Sequence, residues 1–177
     1  MSESTAGWTK WARIAAYSLL GFALFRWFSG GSSGPEEDTP ARAFTLPLAT
    51  HPSNTVSLDS FRGDPLVIEV FASWCGACRD MAPRMAELAQ ATRTRPVRFL
   101  GVAVDTPKAE ALAAHNAWKL PFDVAIGDAT FSNDYRIRSL PTLIVIDERG
   151  QIRQVTTGVT STSRIDGWLA DLGAGRR

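Results

Sequence analysis

The chain has 177 residues, of which 45% are hydrophobic and 21% are charged, and its net charge is +1. This composition is typical of a globular protein. The near-neutral charge gives no basis for binding nucleic acid or an anionic surface, so we expect no nucleic-acid partner. Beyond the N-terminal segment, roughly 130 residues remain, which is enough for one compact domain with its own hydrophobic core.

An apolar segment at residues 11–28 follows a short N-terminal tail at residues 1–10. Its uncharged core, residues 14–25, is shorter than the roughly 20 residues that usually cross a bilayer. Arg13 and Arg26 stand at its ends, where their charged heads can extend to the membrane surface, and tryptophans flank it as in an interfacial aromatic belt. We therefore expect an uncleaved N-terminal transmembrane helix. A cleaved signal peptide and a buried or interfacial helix are the alternatives.

Residues 29–43 are small, polar and proline-bearing, a composition that predicts a flexible linker. Such a linker would hold a domain near the membrane and let it reorient, whereas an ordered loop is the alternative. We expect the domain to span residues 44–172, followed by a short C-terminal tail at residues 173–177.

A strand and a helix come next, and they frame the two cysteines of the chain. The run from Pro65 to Phe71 is apolar and rich in β-branched residues, which predicts a buried strand. Apolar residues spaced by four and three then predict a helix over residues 75–91. Cys75 therefore stands at the start of the helix, with Cys78 one turn inside it.

The spacing of Cys75 and Cys78 favours an exchangeable pair over a structural bridge. A disulfide that closes so small a loop removes little unfolded-state entropy, whereas thiol–disulfide exchange needs a second thiol close to the first. Because a helix N-terminus stabilises a thiolate, we expect Cys75 to attack a partner's disulfide and the more buried Cys78 to resolve the mixed disulfide. The alternatives are inert thiols or half of a zinc site, which would need two more ligands. His51 and His115 stand apart from the pair in the sequence.

The rest of the chain alternates β and α patterns. Thr106-Pro107 predicts a helix start, with the proline at the first helical position, and Glu148-Arg149-Gly150 predicts a hairpin turn. We expect strands at residues 97–104, 122–126, 142–147 and 151–157, and helices at residues 109–118, 129–136 and 161–172. These elements predict an α/β fold, with a central mixed sheet and helices on both faces.

The segment around the cysteines resembles the thioredoxin superfamily. Residues 69–83, which include Trp-Cys-Gly-Ala-Cys, are similar to its active-site strand and helix, and Ser139-Leu140-Pro141-Thr142 is similar to its cis-proline loop. The lead-in, Phe44-Thr-Leu-Pro followed by Val56-Ser-Leu-Asp-Ser-Phe, resembles the TlpA/ResA/CcmG-type branch, whose members are membrane-tethered thiol–disulfide oxidoreductases outside the cytoplasm. The resemblance covers about residues 44–172 and implies a thioredoxin-like fold. Ala77 departs from the pattern, because many members carry proline there.

Glu69 is the one acid in the predicted strand before the cysteines. Burial of an acid in an apolar sheet should raise its pKa, so that it can hold a proton near neutral pH. The resemblance implies a catalytic role for it, because thioredoxins carry a buried acid six residues before the position of Cys75. That acid would transfer a proton to or from Cys78. A carboxylate that faces solvent or pairs with an arginine is the alternative.

The resemblance also implies a substrate-binding surface made by Trp74, Leu140 and Pro141. We expect Pro141 to be cis and the backbone of Leu140 to be free to bind an extended substrate segment. We expect Trp74 to cover one side of the disulfide and contact partners. A trans proline and a tryptophan that only packs on the domain are the alternatives.

These patterns together predict a membrane-anchored thiol–disulfide oxidoreductase, with its N-terminus inside and its catalytic domain outside the cytoplasm. The resemblance to the TlpA/ResA/CcmG-type branch implies that it reduces disulfides in partner proteins, for example the cysteines of apocytochrome c, and that a membrane-bound electron donor reduces it again. We expect a monomer that needs no metal or organic cofactor. The alternatives are a disulfide oxidant or isomerase, and a tethered protein-binding module with a static disulfide.

Overall fold

A computed structural model of the chain describes Tyr17 and residues 34–173. The tail predicted at residues 1–10, nearly all of the anchor predicted at residues 11–28 and most of the C-terminal tail lie outside the described residues. Within the part that is described, no helix combines the length and the apolar character needed to cross a membrane.

The described domain begins with a short antiparallel hairpin, β1 (Thr45–Pro47) and β2 (Thr55–Ser57), followed by a single 3₁₀ turn over Leu58–Phe61. The sequence patterns did not predict this hairpin. Strands of three residues are too short to show the alternation of apolar and polar side chains from which strands are predicted.

A mixed sheet of five strands forms the centre: β3 (Leu66–Phe71), β4 (Arg98–Ala103), β5 (Val124–Ile126), β6 (Thr142–Ile146) and β7 (Ile152–Thr157). Its strand order is β5-β4-β3-β6-β7. β3 pairs in parallel with β4 and antiparallel with β6, β5 extends the parallel half, and β7 extends the antiparallel half. The predicted mixed sheet is confirmed, and its central strand is the one that leads to the cysteines.

The helices of the described region are α1 (Gly76–Ala91), α2 (Lys108–Trp118), α3 (Ala129–Asp134) and α4 (Thr162–Asp171). Apolar clusters join α1, α2 and α4 to one face of the sheet, whereas α3 and the β1–β2 hairpin pack on the opposite face. The prediction of helices on both faces is therefore confirmed. One detail was wrong: Pro107 is the N-cap of α2 and not its first helical residue.

Residues 34–42 are held against the outer edge of β7 by backbone hydrogen bonds. Asp38 donates to Ile152 at 2.7 Å, and Ile152 donates in turn to Thr39 at 2.9 Å. The backbone N–H of Val155 donates to the Glu37 carboxylate at 2.8 Å. The prediction of a flexible linker through residue 43 is therefore wrong for residues 34–42, because their backbone groups form hydrogen bonds with the edge strand β7. We call residues 34–42 the edge strap.

Candidate active site

The cysteine pair lies where the central strand ends and α1 begins. The backbone N–H of Cys75 donates to the carbonyl of Ala72 at 3.1 Å, which closes a turn between β3 and α1. Cys75 is the N-cap residue of α1 and is joined to Cys78 by a disulfide. The backbone N–H of Cys78 also donates to the Sγ of Cys75 at 3.2 Å. The predicted placement at the helix N-terminus is confirmed.

The two sulfur-bearing residues differ in their access to solvent. Cys75 is 8% exposed, whereas Cys78 is fully buried at 0%. Only Cys75 can therefore be approached by a bulky partner without rearrangement of the domain. This asymmetry agrees with an attacking Cys75 and a resolving Cys78, roles that themselves stay predictions.

Glu69 is buried in the middle of β3, with a residual exposure of 1%. Alternation along the strand places it on the same sheet face as Phe71, which packs in the apolar cluster that contains Cys78. Its Oε1 atom has no hydrogen-bond partner among the described residues. Burial raises the pKa of Glu69 to about 8, because the charged form is poorly solvated there. The predicted burial is confirmed and the solvent-facing alternative is wrong.

The loop before β6 carries a cis peptide bond between Leu140 and Pro141, as predicted. The carbonyl of Pro141 accepts a hydrogen bond from the backbone N–H of Gly158 at 2.8 Å. Leu140 is half-buried and contacts the cluster that contains both cysteines. The cis-proline loop and the cysteine pair, which are more than sixty positions apart in the sequence, therefore meet at one end of the sheet.

Trp74 projects from the turn before Cys75 and remains 64% exposed. Its indole Nε1 donates to the backbone carbonyl of Asp105 at 3.1 Å, which fixes the orientation of the ring. The predicted contact of Trp74 with partners stays a prediction, as does the alternative in which it only packs on the domain. An exposed and oriented indole is available to a partner that approaches Cys75.

A groove of about 460 Å³ lies beside Cys75. Trp74, Cys75 and Leu140 line it together with Asp105 and Asp128. The two aspartates follow the carboxyl ends of β4 and β5, and the ends of parallel strands meet at the same edge of a sheet. No sequence pattern pointed to these aspartates, although both come within two positions of the end of a predicted strand, which is a usable signal.

The two histidines lie elsewhere, on a groove that shares no lining residue with the one beside Cys75. His51 and His115 both line this second groove, and the Nε2 of His51 is 3.3 Å from the carboxylate of Asp123. Sequence separation hid this convergence. In the described part of the chain, no group of three or more His, Cys, Asp and Glu side chains is arranged to hold a metal ion.

Comparison with known proteins gives consistent findings. The model of the Redoxin family matches residues 36–169 of the chain. The thiol:disulfide interchange protein DsbE of Allochromatium vinosum is 31% identical over 126 residues, which are 70% of this chain and 68% of that protein. The thiol-disulfide oxidoreductase ResA of Geobacillus kaustophilus is 28% identical over 116 residues, which are 65% of this chain and 67% of that protein.

Solved structures agree on the fold. A thiol:disulfide interchange protein of the thioredoxin family from Chlorobium tepidum TLS is similar with a TM-score of 0.69 at 22% identity, covering 78% of this chain and 98% of that chain. StoA from Bacillus subtilis is similar with a TM-score of 0.62 at 18% identity, covering 72% of this chain and 96% of that chain. The predicted thioredoxin-like fold of the domain is therefore confirmed.

Proposed function

The chain belongs to the Redoxin family and is a thiol–disulfide oxidoreductase, and we propose that it works in the reducing direction, on disulfides of partner proteins. The observation that carries the exchange chemistry, with Cys75 attacking and Cys78 resolving, is the asymmetry of the cysteine pair. Cys75 is partly exposed at a helix N-terminus, and Cys78 is buried behind it. Such a pair suits attack by the first sulfur and release by the second. The reducing direction itself rests on the resemblance to the TlpA/ResA/CcmG-type branch.

The proposed reaction begins with the reduced enzyme. The Cys75 thiolate attacks one sulfur of the partner's disulfide, a mixed disulfide forms, and the partner's other sulfur leaves as a thiolate that takes up a proton. Cys78 then loses its proton and attacks the Sγ of Cys75. The Cys75–Cys78 disulfide forms as the partner's remaining sulfur leaves, so two electrons pass from the enzyme to the partner.

Glu69 is proposed as the group that accepts the proton of Cys78. It lies on the sheet face that packs against the cluster containing Cys78, and no other acid is buried among the described residues. Because burial raises the pKa of Glu69 to about 8, its carboxylate form becomes abundant only at mildly alkaline pH. Resolution of the mixed disulfide should therefore accelerate as the pH rises through that value.

Substrate binding is proposed for the groove beside the disulfide. Trp74 gives it an exposed aromatic surface, and Leu140, which precedes the cis proline, also lines it. An extended segment of a partner can pair with the backbone of Leu140 while one of its sulfurs faces Cys75. Cysteine pairs in extended or unfolded chains, such as those of apocytochrome c, are the proposed substrate class.

We further propose that residues 11–28 anchor the protein in a membrane and that the domain faces an extracytoplasmic compartment. The apolar segment with its flanking arginines and tryptophans supports the anchor. In such a compartment glutathione and thioredoxin do not keep thiols reduced, so the enzyme needs a dedicated, membrane-bound electron donor. A tether raises the effective concentration of the domain near that donor.

The oxidoreductase activity is tested by the reduction potential of the pair. The protein is equilibrated in dithiothreitol redox buffers, and the reduced fraction of Cys75 and Cys78 is counted by alkylation and mass spectrometry. An exchangeable pair should titrate above about −300 mV, whereas a static structural bridge should lie below that value and resist small thiols. Protease treatment of intact spheroplasts tests the location, because an extracytoplasmic domain is digested together with an outward-facing control protein.

A further inference from the structure

The turn before the attacking cysteine is tied by side-chain hydrogen bonds to the segment after β4. The backbone N–H of Ser73 donates to the Oγ1 of Thr106 at 3.2 Å. The hydroxyl of Ser73 donates to the Oε2 of Glu110 at 2.9 Å. The indole of Trp74 donates to the carbonyl of Asp105. Ser73 and Trp74 are thus both hydrogen-bonded to the segment that follows β4.

This turn determines where Cys75 lies. It runs from Ala72 to Cys75 and is closed by the hydrogen bond between their backbone groups at 3.1 Å. Ser73 and Trp74 occupy its two central positions, whose dihedral angles fix the course of the chain through a turn. Holding these two residues therefore holds Cys75 at the N-cap of α1.

Thr106 supplies the central contact. It is only 9% exposed, and its hydroxyl donates to the carbonyl of Val104 at 2.9 Å while accepting from the N–H of Ser73. A hydroxyl is a donor and an acceptor on one atom, which this bridging position requires. The sequence places Thr106 at a helix start, but α2 has no side-chain cap. The Thr106 hydroxyl instead accepts the hydrogen bond from Ser73 in the turn before Cys75.

We propose that Thr106 and Glu110 are positioning residues for thiol–disulfide exchange: by holding Ser73 they keep Cys75 at the start of α1, where its sulfur meets the N–H of Cys78. This inference rests on the proposed function, because it takes Cys75 as the attacking residue. A turn that loses these bonds would let Cys75 leave the helix end, where the backbone N–H groups stabilise a thiolate. The thiolate would then form at higher pH and attack more slowly.

The first test compares Thr106→Val with Thr106→Ser in the full chain. Reduced protein is alkylated with iodoacetamide across a pH series, and modification of Cys75 is followed by mass spectrometry. Thr106→Val should move the midpoint of Cys75 alkylation to higher pH and slow attack on a small aromatic disulfide about fivefold, the equivalent of one hydrogen bond. Thr106→Ser keeps the hydroxyl and should behave as the wild type.

Thr92→Val is the matched control for a general loss of stability. Thr92 is also buried, and its hydroxyl donates to the carbonyl of Leu88 at 2.8 Å. It stands at the far end of α1, roughly 25 Å from Cys75 by the rise of a helix. A midpoint shift in Thr106→Val that is absent in Thr92→Val supports the proposal. An equal shift in both variants, or none in either, overturns it.

A second pair of variants tests Glu110 and does not disturb a buried residue. Ser73→Ala removes the hydrogen bond to Glu110, whereas Glu110→Gln keeps an acceptor there and removes only the charge. A positioning role predicts that Ser73→Ala raises the alkylation midpoint and that Glu110→Gln leaves it unchanged. A midpoint unchanged in Ser73→Ala, or lowered in Glu110→Gln, overturns the role of Glu110.

The wild-type chain in the same assay distinguishes failure of the proposed function from failure of the positioning role. A wild type that does not reduce the small disulfide contradicts the proposed function and the positioning role with it. A wild type that reduces the disulfide, with Thr106→Val and Ser73→Ala reacting equally fast, contradicts the positioning role alone.

Discussion

The backbone N–H of Cys78 donates a hydrogen bond of 3.2 Å to the Sγ of Cys75, so the two cysteines are joined by this bond as well as by their disulfide. The donor belongs to the first turn of α1. It is therefore placed to stabilise the thiolate of Cys75, the species that attacks in thiol–disulfide exchange. Among the described residues, no group donates a hydrogen bond to the sulfur of Cys78, which is buried in an apolar cluster.

Replacing Glu69 with Gln should change the pH dependence of resolution. In the wild type, the rate at which Cys78 releases the mixed disulfide should rise as the pH passes about 8, where the Glu69 carboxylate forms. Glu69→Gln should lose this component and be slower at alkaline pH. Stopped-flow single turnovers with a model disulfide measure the rate.

Glu87→Gln, at an exposed site on α1, is the control. Identical pH profiles for the wild type and Glu69→Gln would remove the proton-transfer role.

The same substitution should stabilise the domain more as the pH rises. The pKa of Glu69 is about 8 in the folded protein and 4.5 as an ordinary carboxyl, so the folded state binds more protons and its stability falls as the pH rises through this window. Glu69→Gln has no carboxyl at this position and does not lose stability in this way. Its free energy of unfolding should exceed that of the wild type by about 2 kcal/mol at pH 6 and roughly 4 kcal/mol at pH 8. Urea unfolding with the disulfide intact measures it, and a gain independent of pH would contradict the buried-acid account.

Trp74→Ala should weaken the recognition of protein substrates more than the chemistry itself. The exposed indole is a contact surface beside Cys75 and does not take part in electron transfer. We expect KM for a disulfide-bonded protein to rise about tenfold, as for an aromatic interface anchor, whereas the rate with a small disulfide should fall by less than that, because only the hydrogen bond from the indole to Asp105 is lost there. Equal losses with both substrates would assign Trp74 to the packing of the cysteine turn.

Removal of the edge strap should expose β7. A chain that lacks residues 1–33 keeps the hydrogen bonds that Glu37, Asp38 and Thr39 make with β7, whereas a chain that lacks residues 1–43 loses them. An uncovered edge strand pairs readily with another chain. The longer deletion should therefore associate and unfold at lower urea concentration, as light scattering and urea titration will show. Monomeric and equally stable products from both deletions would contradict this role of the strap.

The sequence predicted the parts of the site whose signals are local. The apolar run before Cys75, the helical spacing after it and the three-residue step to Cys78 lie within one short stretch, so residue order alone was enough to predict β3, α1 and the cysteine asymmetry. The burial of Glu69 followed in the same way, since its strand neighbours are apolar. Residue types and periodicity carry such information within an element.

Contacts between distant segments have no periodic signal and were missed. Nothing in residues 34–42 marks them as the cover of an edge strand, because their hydrogen bonds to β7 use mainly backbone atoms. The Thr106 hydroxyl had an obvious local use at a helix start, yet it bonds to Ser73. The cis-proline loop was predicted only through resemblance to a family, since X–Pro bonds are mostly trans.

The trapping of a mixed disulfide shows which cysteine attacks. Reduced Cys78→Ser and Cys75→Ser variants are each incubated with oxidised glutathione near neutral pH, and their intact masses are measured over time. We expect Cys78→Ser to accumulate one glutathione adduct on Cys75, because attack proceeds and no second thiol releases it. Cys75→Ser should stay unmodified, since Cys78 is fully buried. An adduct that forms on Cys75→Ser as fast as on Cys78→Ser, or on neither variant, would contradict the assignment of Cys75 as the attacking residue.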